Sequence, residues 1–194
     1  MKGFRKLFML LESGSTADAR PSAYLLLALV VLGVFVVDQA TKAWVLAALP
    51  LYSQKEIISG FFNLVHVRNT GVAFSFFAGS ESPWRVYGLS GLTFMALVVI
   101  FFLYRQTGSE EKARRVALGL IAGGALGNVV DRLRFGNVVD FLDFYIGPYH
   151  WPAFNVADMA VTTGAALLLF TVLRTEKKTH PPFEKNPASS STKT

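Results

Sequence analysis

The chain has 194 residues, of which 52% are hydrophobic and only 16% charged, and it carries a net charge of +6. Soluble domains contain about 25% charged residues, so this composition indicates a membrane protein, and the length predicts one domain. The absence of cysteine excludes disulfides, thiolate metal sites and a cysteine nucleophile. The histidines lack the spacing of a zinc site, so we expect no metal and no other cofactor; they are His66, His150 and His180.

The first segment, residues 1–22, begins MKGFRKLFMLL and resembles the start of a signal peptide. Its apolar core of about six residues is shorter than the core of about 7–15 residues in a normal signal peptide. We therefore predict a cytoplasmic tail that touches the membrane surface and stays attached to the chain.

Four segments of the remaining chain are long and apolar enough to cross a bilayer, which takes about 20 residues of helix. They are residues 24–46, 86–104, 116–131 and 156–173. The third contains a GxxxG pattern at Gly123 and Gly127, which is typical of closely packed helices. We predict a four-helix transmembrane domain over residues 23–174, followed by a polar, disordered cytoplasmic tail over residues 175–194.

Two segments between the helices have strand character. Residues 60–79, GFFNLVHVRNTGVAFSFFAG, begin with a β alternation, turn at Asn69 to Gly71, and continue with an aromatic run that we expect to form a short interfacial helix. Residues 135–147, FGNVVDFLDFYIG, predict a turn followed by a strand. We expect the two strands to pair, because open strand edges are not tolerated in hydrocarbon. The predicted fold is a mainly α membrane protein, with four transmembrane helices and a small antiparallel β-sheet on the outer face.

Three clusters of basic residues lie on one side of this even-numbered bundle. By the positive-inside rule, both termini are then cytoplasmic and residues 47–85 and 132–155 lie outside. A nucleic-acid partner would also explain a basic chain, but the charges flank helix ends and form no face with interleaved aromatics, so we expect none. The residues concerned are Lys2, Arg5, Lys6 and Arg20, then Arg105, Lys112, Arg114 and Arg115, and finally Arg174, Lys177, Lys178 and Lys185.

The aspartates are distributed on the opposite side. Only Asp18 lies in a cytoplasmic tail. The positions of the others need an explanation, because an isolated carboxylate is expensive to bury in apolar surroundings. The other five fall in the outer half of the molecule, and they are Asp38, Asp131, Asp140, Asp143 and Asp158.

Three of these aspartates have a local structural explanation as well as a functional one. Asp38 can form an i,i+4 ion pair with Lys42, or it can brace a site at the outer face. Asp131 precedes Arg132 and suits the end of a helix at the interface. Asp158 stands three residues after Asn155, which is a variant of the capping box.

Asp140 has no such local explanation, because it lies between apolar residues and its nearest basic neighbours are Arg132 and Arg134. On an alternating strand Asp140 and Asp143 point to opposite faces, so we expect one of them on the rim of the sheet. If Asp140 turns toward the start of the fourth helix, it meets Asp158. Two carboxylates that share one proton are the arrangement of an aspartic protease dyad, in which one group activates water and the other donates to the substrate carbonyl.

Four stretches resemble the signature blocks of bacterial lipoprotein signal peptidase, also called signal peptidase II. The resemblance covers nearly the whole chain between residues 24 and 174, and Val72 stands where many members have alanine. The stretches are VVDQATKAW at 36–44, VRNTGVAFS at 67–75, GGALGNVVDRLRFGNVVDFLDF at 123–144 and FNVAD at 154–158.

This resemblance implies an intramembrane aspartic endopeptidase of the bacterial inner membrane, with its active site at the periplasmic face. Such an enzyme removes the signal peptide of a prolipoprotein just before a cysteine that already carries diacylglyceryl. The implied catalytic pair is Asp140 and Asp158. The implied partners are diacylglyceryl-modified prolipoproteins and membrane lipids, and we expect a monomer. The residues implied to orient substrate or support the pair are Asp38, Asn69, Asn128, Asp131, Arg132 and Asn155.

Two other classes of protein are alternatives to this function. A small proton-coupled membrane transport protein would also use carboxylates in a bundle, but inverted repeats, more helices and acids near the midplane are expected there. A structural or assembly protein would explain the bundle and leave the one-sided aspartates unexplained. The role of Arg132 stays open between binding a lipid phosphate and binding a substrate carbonyl.

The predicted orientation can be tested with topology reporters. A reporter fused after Lys178 should behave as cytoplasmic, and one inserted near Ser80 should behave as external, because the basic residues flank the inner ends of the helices. Accessibility labelling in whole cells distinguishes the two locations, and the opposite pattern would overturn the orientation.

Overall fold

The computed structural model describes residues 21–70, 83–108 and 111–179. The predicted interfacial helix after residue 70 and most of both tails lie outside these residues. The last helix continues past residue 174, where the sequence predicts that the C-terminal tail begins. In chain order the elements are α1 (Pro21–Ala48), β1 (Gln54–Ile58), β2 (Phe62–Asn69), α2 (Pro83–Gln106), α3 (Lys112–Phe135), β3 (Val138–Ile146), β4 (Tyr149–His150) and α4 (Val156–Thr179).

Each of these helices contains a stretch that is long and apolar enough to cross a membrane, which confirms the four predicted spans. Helix α3 occupies the centre of the bundle, because 56% of its most apolar stretch is buried, compared with 6%, 6% and 17% for α1, α2 and α4. The outer helices expose many large apolar side chains, as expected of surfaces that face lipid. The stretches are Tyr24–Ala48, Val86–Gln106, Lys112–Phe135 and Val156–Arg174.

Glycines on α3 allow its two neighbours to approach closely. A Cβ atom on Gly123 would lie 2.8 Å from the Cβ of Val34 on α1, which is closer than packed atoms approach. On the other side of the helix, a Cβ on Gly124 would collide with the backbone oxygen of Ala157 on α4. The GxxxG pattern therefore marks close helix packing, as predicted.

The strands form one antiparallel sheet in the order β1, β2, β3, β4. The predicted pairing of β2 with β3 is confirmed, with Val67 opposite Asp140 and Asn69 opposite Val138. The strands β1 and β4 were not predicted. One isolated bridge between Leu142 of β3 and Phe154 holds the residue before Asn155 against the sheet, through hydrogen bonds of 2.9 and 3.1 Å.

A short turn connects α3 to β3. Gly136 ends the helix in the left-handed region, with a φ of 74°, and its N–H donates to the carbonyl oxygen of Arg132 over 2.9 Å. Because β3 begins only two residues later, the last turn of α3 and the first residues of β3 lie side by side. Asp131 and Asp140 are thereby placed at the same end of the bundle.

Packing at Gly124 provides a test of this arrangement. Gly124→Ala should lower the free energy of unfolding by about 1–3 kcal/mol, because the new methyl group meets a backbone atom that cannot rotate away. The measurement is thermal unfolding in detergent micelles. Gly33→Ala on α1 is the matched control, since a Cβ added there would have nothing within 4 Å, and it should be neutral or slightly stabilising. Equal melting temperatures for the two variants would contradict the close packing of α3 and α4.

Candidate active site

Asp140 lies on β3 and is held by two amide side chains. Asn69 Nδ2 donates to Asp140 Oδ2 over 2.9 Å, and Asn155 Nδ2 donates to Asp140 Oδ1 over 2.7 Å. The side chain is 1% exposed, and none of the ion pairs found among the described residues includes it. A buried carboxyl group held by neutral donors can take either protonation state more readily than one bound to a cation.

Asp158 lies in the first turn of α4 and completes the predicted capping box. Its backbone N–H donates to Asn155 Oδ1 over 3.0 Å, and its Oδ2 accepts from the backbone N–H of Asn155 over 3.3 Å. Its other oxygen accepts a hydrogen bond of 2.8 Å from Asn128 Nδ2. The capping explanation is therefore correct, and it leaves Asp158 in contact with a polar residue of α3.

Asn155 is the residue that connects the two carboxylates. It is fully buried, its side-chain amide donates to Asp140, and its backbone N–H donates to Asp158. Asp140 and Asp158 are thus brought together at the start of α4, at the position that the sequence suggested. Two acids held by one rigid residue can act on the same small reacting group.

Lys42 lies behind this pair and is 2% exposed. Its Nζ forms ion pairs of 2.8 Å with Asp38 Oδ2 and 2.9 Å with Asp131 Oδ2, and it also donates to Asn128 Oδ1 over 3.0 Å. The predicted i,i+4 pair of Asp38 and Lys42 exists. The role of Asp38 in bracing the site stays a prediction.

Each of the two supporting aspartates fixes a backbone N–H group next to a candidate catalytic residue. Asp38 Oδ1 accepts from the N–H of Ala157, one residue before Asp158, over 2.9 Å. Asp131 Oδ2 accepts from the N–H of Val139, one residue before Asp140, over 3.1 Å. The ion-pair cluster thus determines where β3 and α4 begin relative to each other.

Sequence reasoning did not include Lys42 or Gln39 among the site residues. Gln39 Nε2 donates to Asp131 Oδ1 over 3.0 Å and to Asp38 Oδ2 over 3.2 Å. A signal for Lys42 was present, because a lysine inside an apolar helix is costly unless it has a partner. Nothing in the sequence around Gln39 indicated a role in the site, because a neutral amide that follows an acid in the chain is common.

Burial changes the protonation of Asp140. It raises the pKa of this carboxyl group from an ordinary value of 3.8 to about 6, and the negative charge of Asp158 acts in the same direction. The hydrogen bonds from Asn69 and Asn155 and the charge of Lys42 lower the pKa and offset part of this rise. A substantial fraction of Asp140 is therefore protonated in mildly acidic solution.

Arg132 follows Asp131 on the last turn of α3, beside the pair. The negative charges of Asp158, Asp131 and Asp140 attract its positively charged guanidinium group. Its Nη1 donates to the carbonyl oxygen of Asn128 over a long 3.4 Å, and within residues 21–70, 83–108 and 111–179 its buried Nε has no hydrogen-bond acceptor. The guanidinium group retains donors that can bind a further oxygen atom.

Asp143 does not join the pair. Asn63 Nδ2 donates to its Oδ2 over 2.8 Å, and His150 Nδ1 lies 2.9 Å from its Oδ1. The expectation that Asp143 or Asp140 lies on the rim is wrong, because Asp143 is 7% exposed and Asp140 1%. The odd spacing along β3 sends them to opposite faces, and each face is covered.

The fold and the site together define a multi-pass membrane protein with two carboxylates joined by Asn155 at one end of its bundle, one buried and the other partly exposed. Aspartic hydrolases use a pair of this kind. Comparison with known proteins extends this description. A family model described as "Signal peptidase (SPase) II" matches residues 30–174. The chain belongs to the signal peptidase II family, and it is therefore a peptidase.

Curated relatives are named lipoprotein signal peptidases. The lipoprotein signal peptidase of Paraburkholderia phymatum is 49% identical over 141 residues, which cover 73% of this chain and 83% of that protein. The lipoprotein signal peptidase of Cupriavidus taiwanensis is 44% identical over 167 residues, which cover 86% of this chain and 89% of that protein. These likenesses give no support to a transport function.

Solved structures share the fold. A bacterial membrane enzyme determined by the in meso method at 2.3 Å resolution superposes with a TM-score of 0.70 at 28% identity, covering 82% of this chain and 94% of that one. A second bacterial membrane enzyme, determined by the same method at 1.9 Å, has a TM-score of 0.68 at 28% identity, covering 76% and 92%.

The role of Lys42 can be tested by removing its charge. Lys42→Met should lower the free energy of unfolding by about 3–5 kcal/mol, because Asp38 and Asp131 lose their shared cation. Adding Asp131→Asn should restore part of the loss, since one buried charge is then removed. Thermal unfolding in detergent micelles measures both effects.

Lys55→Met on β1 is the matched control for this prediction. Lys55 is exposed and belongs to none of the ion pairs of the described residues, so its substitution should change stability by less than about 0.5 kcal/mol. A wild-type melting temperature for Lys42→Met would show that the cluster does not hold the site together.

Proposed function

We propose that this chain is an aspartic endopeptidase that removes the signal peptide of prolipoproteins and cleaves just before a diacylglyceryl-modified cysteine. The observation that carries the proposal is that one buried residue, Asn155, binds both Asp140 and Asp158. Membership of the signal peptidase II family supports the substrate class, and the names of the curated relatives agree with it.

The position of the pair suits such a substrate. Asp158 lies in the first turn of a membrane-spanning helix, and Asp131 lies in the last turns of another. The bond next to a lipid-modified cysteine lies at headgroup level, because the signal helix and both acyl chains are held in hydrocarbon. We infer that the enzyme acts as a monomer at the periplasmic face of the inner membrane, with both termini in the cytoplasm.

The two carboxylates have different environments, and this suggests different roles. Asp158 accepts hydrogen bonds from the backbone N–H of Asn155 and from Asn128 Nδ2 at the start of α4, which orient its carboxylate as a proton acceptor. Asp140 is buried, and its pKa of about 6 favours its protonated form in mildly acidic solution. Asp158 therefore acts as the base and Asp140 as the acid.

In the reaction, Asp158 takes a proton from water while the water oxygen attacks the scissile carbonyl carbon. Asp140 donates its proton to the carbonyl oxygen, which gives a neutral tetrahedral intermediate. The C–N bond then breaks, the leaving nitrogen takes a proton from Asp158, and the carbonyl returns its proton to Asp140. The products are a signal peptide with a new carboxyl end and a lipoprotein that begins with the modified cysteine.

The remaining polar residues position these groups. Asn69 and Asn155 orient the carboxyl group of Asp140, and Asn128 orients that of Asp158. Arg132 has donors to bind a substrate carbonyl or a lipid phosphate beside the pair. A lysine could not replace it, because an ammonium group lacks the planar array of donors of a guanidinium group.

Replacing either candidate catalytic residue tests the pair. Asp140→Asn and Asp158→Asn keep the side-chain shape and remove an ionisable group, so each should reduce cleavage of a diacylglyceryl-modified peptide by more than about a thousandfold. The double variant should lose little more, because residues that act as a unit are not additive. The assay uses purified protein, with thermal unfolding measured in parallel.

Asp143→Asn is the matched control, because Asp143 is also a buried β3 aspartate bound by an asparagine, but on the other face. It should retain most of the activity. Substantial turnover by a folded Asp140→Asn or Asp158→Asn variant would refute the dyad.

The raised pKa of Asp140 predicts a pH dependence. Because the acid must be protonated, kcat/KM should fall as the pH rises through about 6. Asn69→Ala removes a hydrogen bond that lowers this pKa, so the midpoint of the fall should move to higher pH. Asn63→Ala, which removes the equivalent bond to Asp143, should leave the midpoint unchanged. A rate that rises through pH 6 would assign Asp140 as the base instead.

A further inference from the structure

An open groove of about 520 Å³ begins at Asp158 and follows the outer surface of α4. One wall comes from the connection between β4 and α4, through Trp151 and Phe154, and the other comes from the helix itself, through Met159, Thr162 and Thr163. The walls are mainly apolar, and Asp158 is the one charged residue among the described residues that line the groove. The side chains of Met159 and the two threonines take no part in the hydrogen bonds that define the candidate site.

The groove leads from the candidate dyad into the depth of the membrane. Thr162 follows Asp158 by four positions, which places it on the same face of α4 and about 6 Å further along its axis. Thr163, the next residue, also lines the groove. Helix α4 enters the membrane-spanning stretch at Val156, so this direction is inward. Met159 is 49% exposed and both threonines are exposed, so the groove is open toward lipid along its side.

We infer that this groove binds one acyl chain of the diacylglyceryl group on the substrate cysteine, an inference that rests on the proposed function. The modified cysteine directly follows the scissile bond, so its lipid begins a few covalent bonds from the carbonyl that the two aspartates hold. An acyl chain that leaves this point must run into hydrocarbon, and the groove is an apolar path that starts at Asp158 and runs in that direction.

The size of the groove favours an acyl chain over the signal peptide. A helix with its side chains is about 10–12 Å wide and needs a broad face to pack against. A volume of about 520 Å³ lies in the range of pockets that hold small molecules, and mainly apolar walls match an alkyl chain.

This assignment gives the groove a role in selecting the substrate. Binding of the acyl chain along α4 would fix the carbonyl group between Asp140 and Asp158. Binding energy from a part of the substrate that does not react is then used to position the part that does. An unmodified cysteine leaves the groove empty and loses this contribution.

The test compares two synthetic prolipoprotein peptides, one with palmitoyl chains and one with butyryl chains on the glyceryl group, in the same detergent micelles. Thr163→Trp fills the groove at an exposed position of α4. It should reduce kcat/KM for the palmitoyl substrate by about tenfold and leave the butyryl substrate nearly unchanged. Leu169→Trp is the matched control, because Leu169 is 60% exposed on α4 and does not line the groove, and it should behave as wild type on both substrates.

The outcomes separate this inference from the proposed function. If the wild-type protein cleaves both peptides and Thr163→Trp loses activity equally on both, or on neither, the acyl groove is wrong and the peptidase proposal stands. If the wild-type protein cleaves neither peptide, the proposed function fails and the groove fails with it.

A second measurement does not depend on the folding of a groove variant. A palmitoyl substrate with a photoreactive diazirine near the middle of its acyl chain is bound to Asp140→Asn, which should hold the peptide uncleaved. Mass spectrometry of the cross-linked protein should find the label on residues 159–163 of α4. Labelling confined to other helices would overturn the inference.

Discussion

The two ion pairs of Lys42, with Asp38 and with Asp131, are the interaction on which the position of both candidate catalytic residues depends. All three charges are almost completely buried, at 2%, 0% and 1% exposed. Burying charges in this way costs several kcal/mol per ion unless each has partners, and both aspartates also accept a hydrogen bond from a backbone N–H group. Those N–H groups belong to Ala157 and Val139, the residues directly before Asp158 and Asp140.

Close packing of α3 is the condition that lets this cluster form. A Cβ on Gly127 would collide with the carboxylate of Asp38, so the glycine leaves room for a charged group of the neighbouring helix as well as for its backbone. Gly124 in the same way allows Ala157 to approach from α4. The glycines of α3 thus bring together the three helices that supply the polar residues, and an apolar bundle can then contain a connected polar network.

The network surrounds the candidate pair unevenly. Asp158 is bound by a backbone N–H and an amide at a helix start, whereas Asp140 is bound by two side-chain amides within a sheet. The resulting difference in environment is the usual means by which proteins separate the proton affinities of two neighbouring acids. Asn155 contacts both carboxylates, but through different groups: its side-chain amide binds Asp140 and its backbone N–H binds Asp158. The same residue therefore joins the two acids and gives them different environments.

The sequence alone determined the membrane spans, the two central strands and the identity of the candidate carboxylates, because hydropathy, alternation and an acid in apolar surroundings are local properties. Tertiary structure decided which groups support them. Lys42 and Asp131 are far apart in the chain, as are Asn69 and Asp140, and a local pattern gives no information about such contacts. The burial of Asp143 was likewise decided by what covers the second face of β3, namely Asn63 and His150, since alternation fixes the face of a side chain and does not fix its partners.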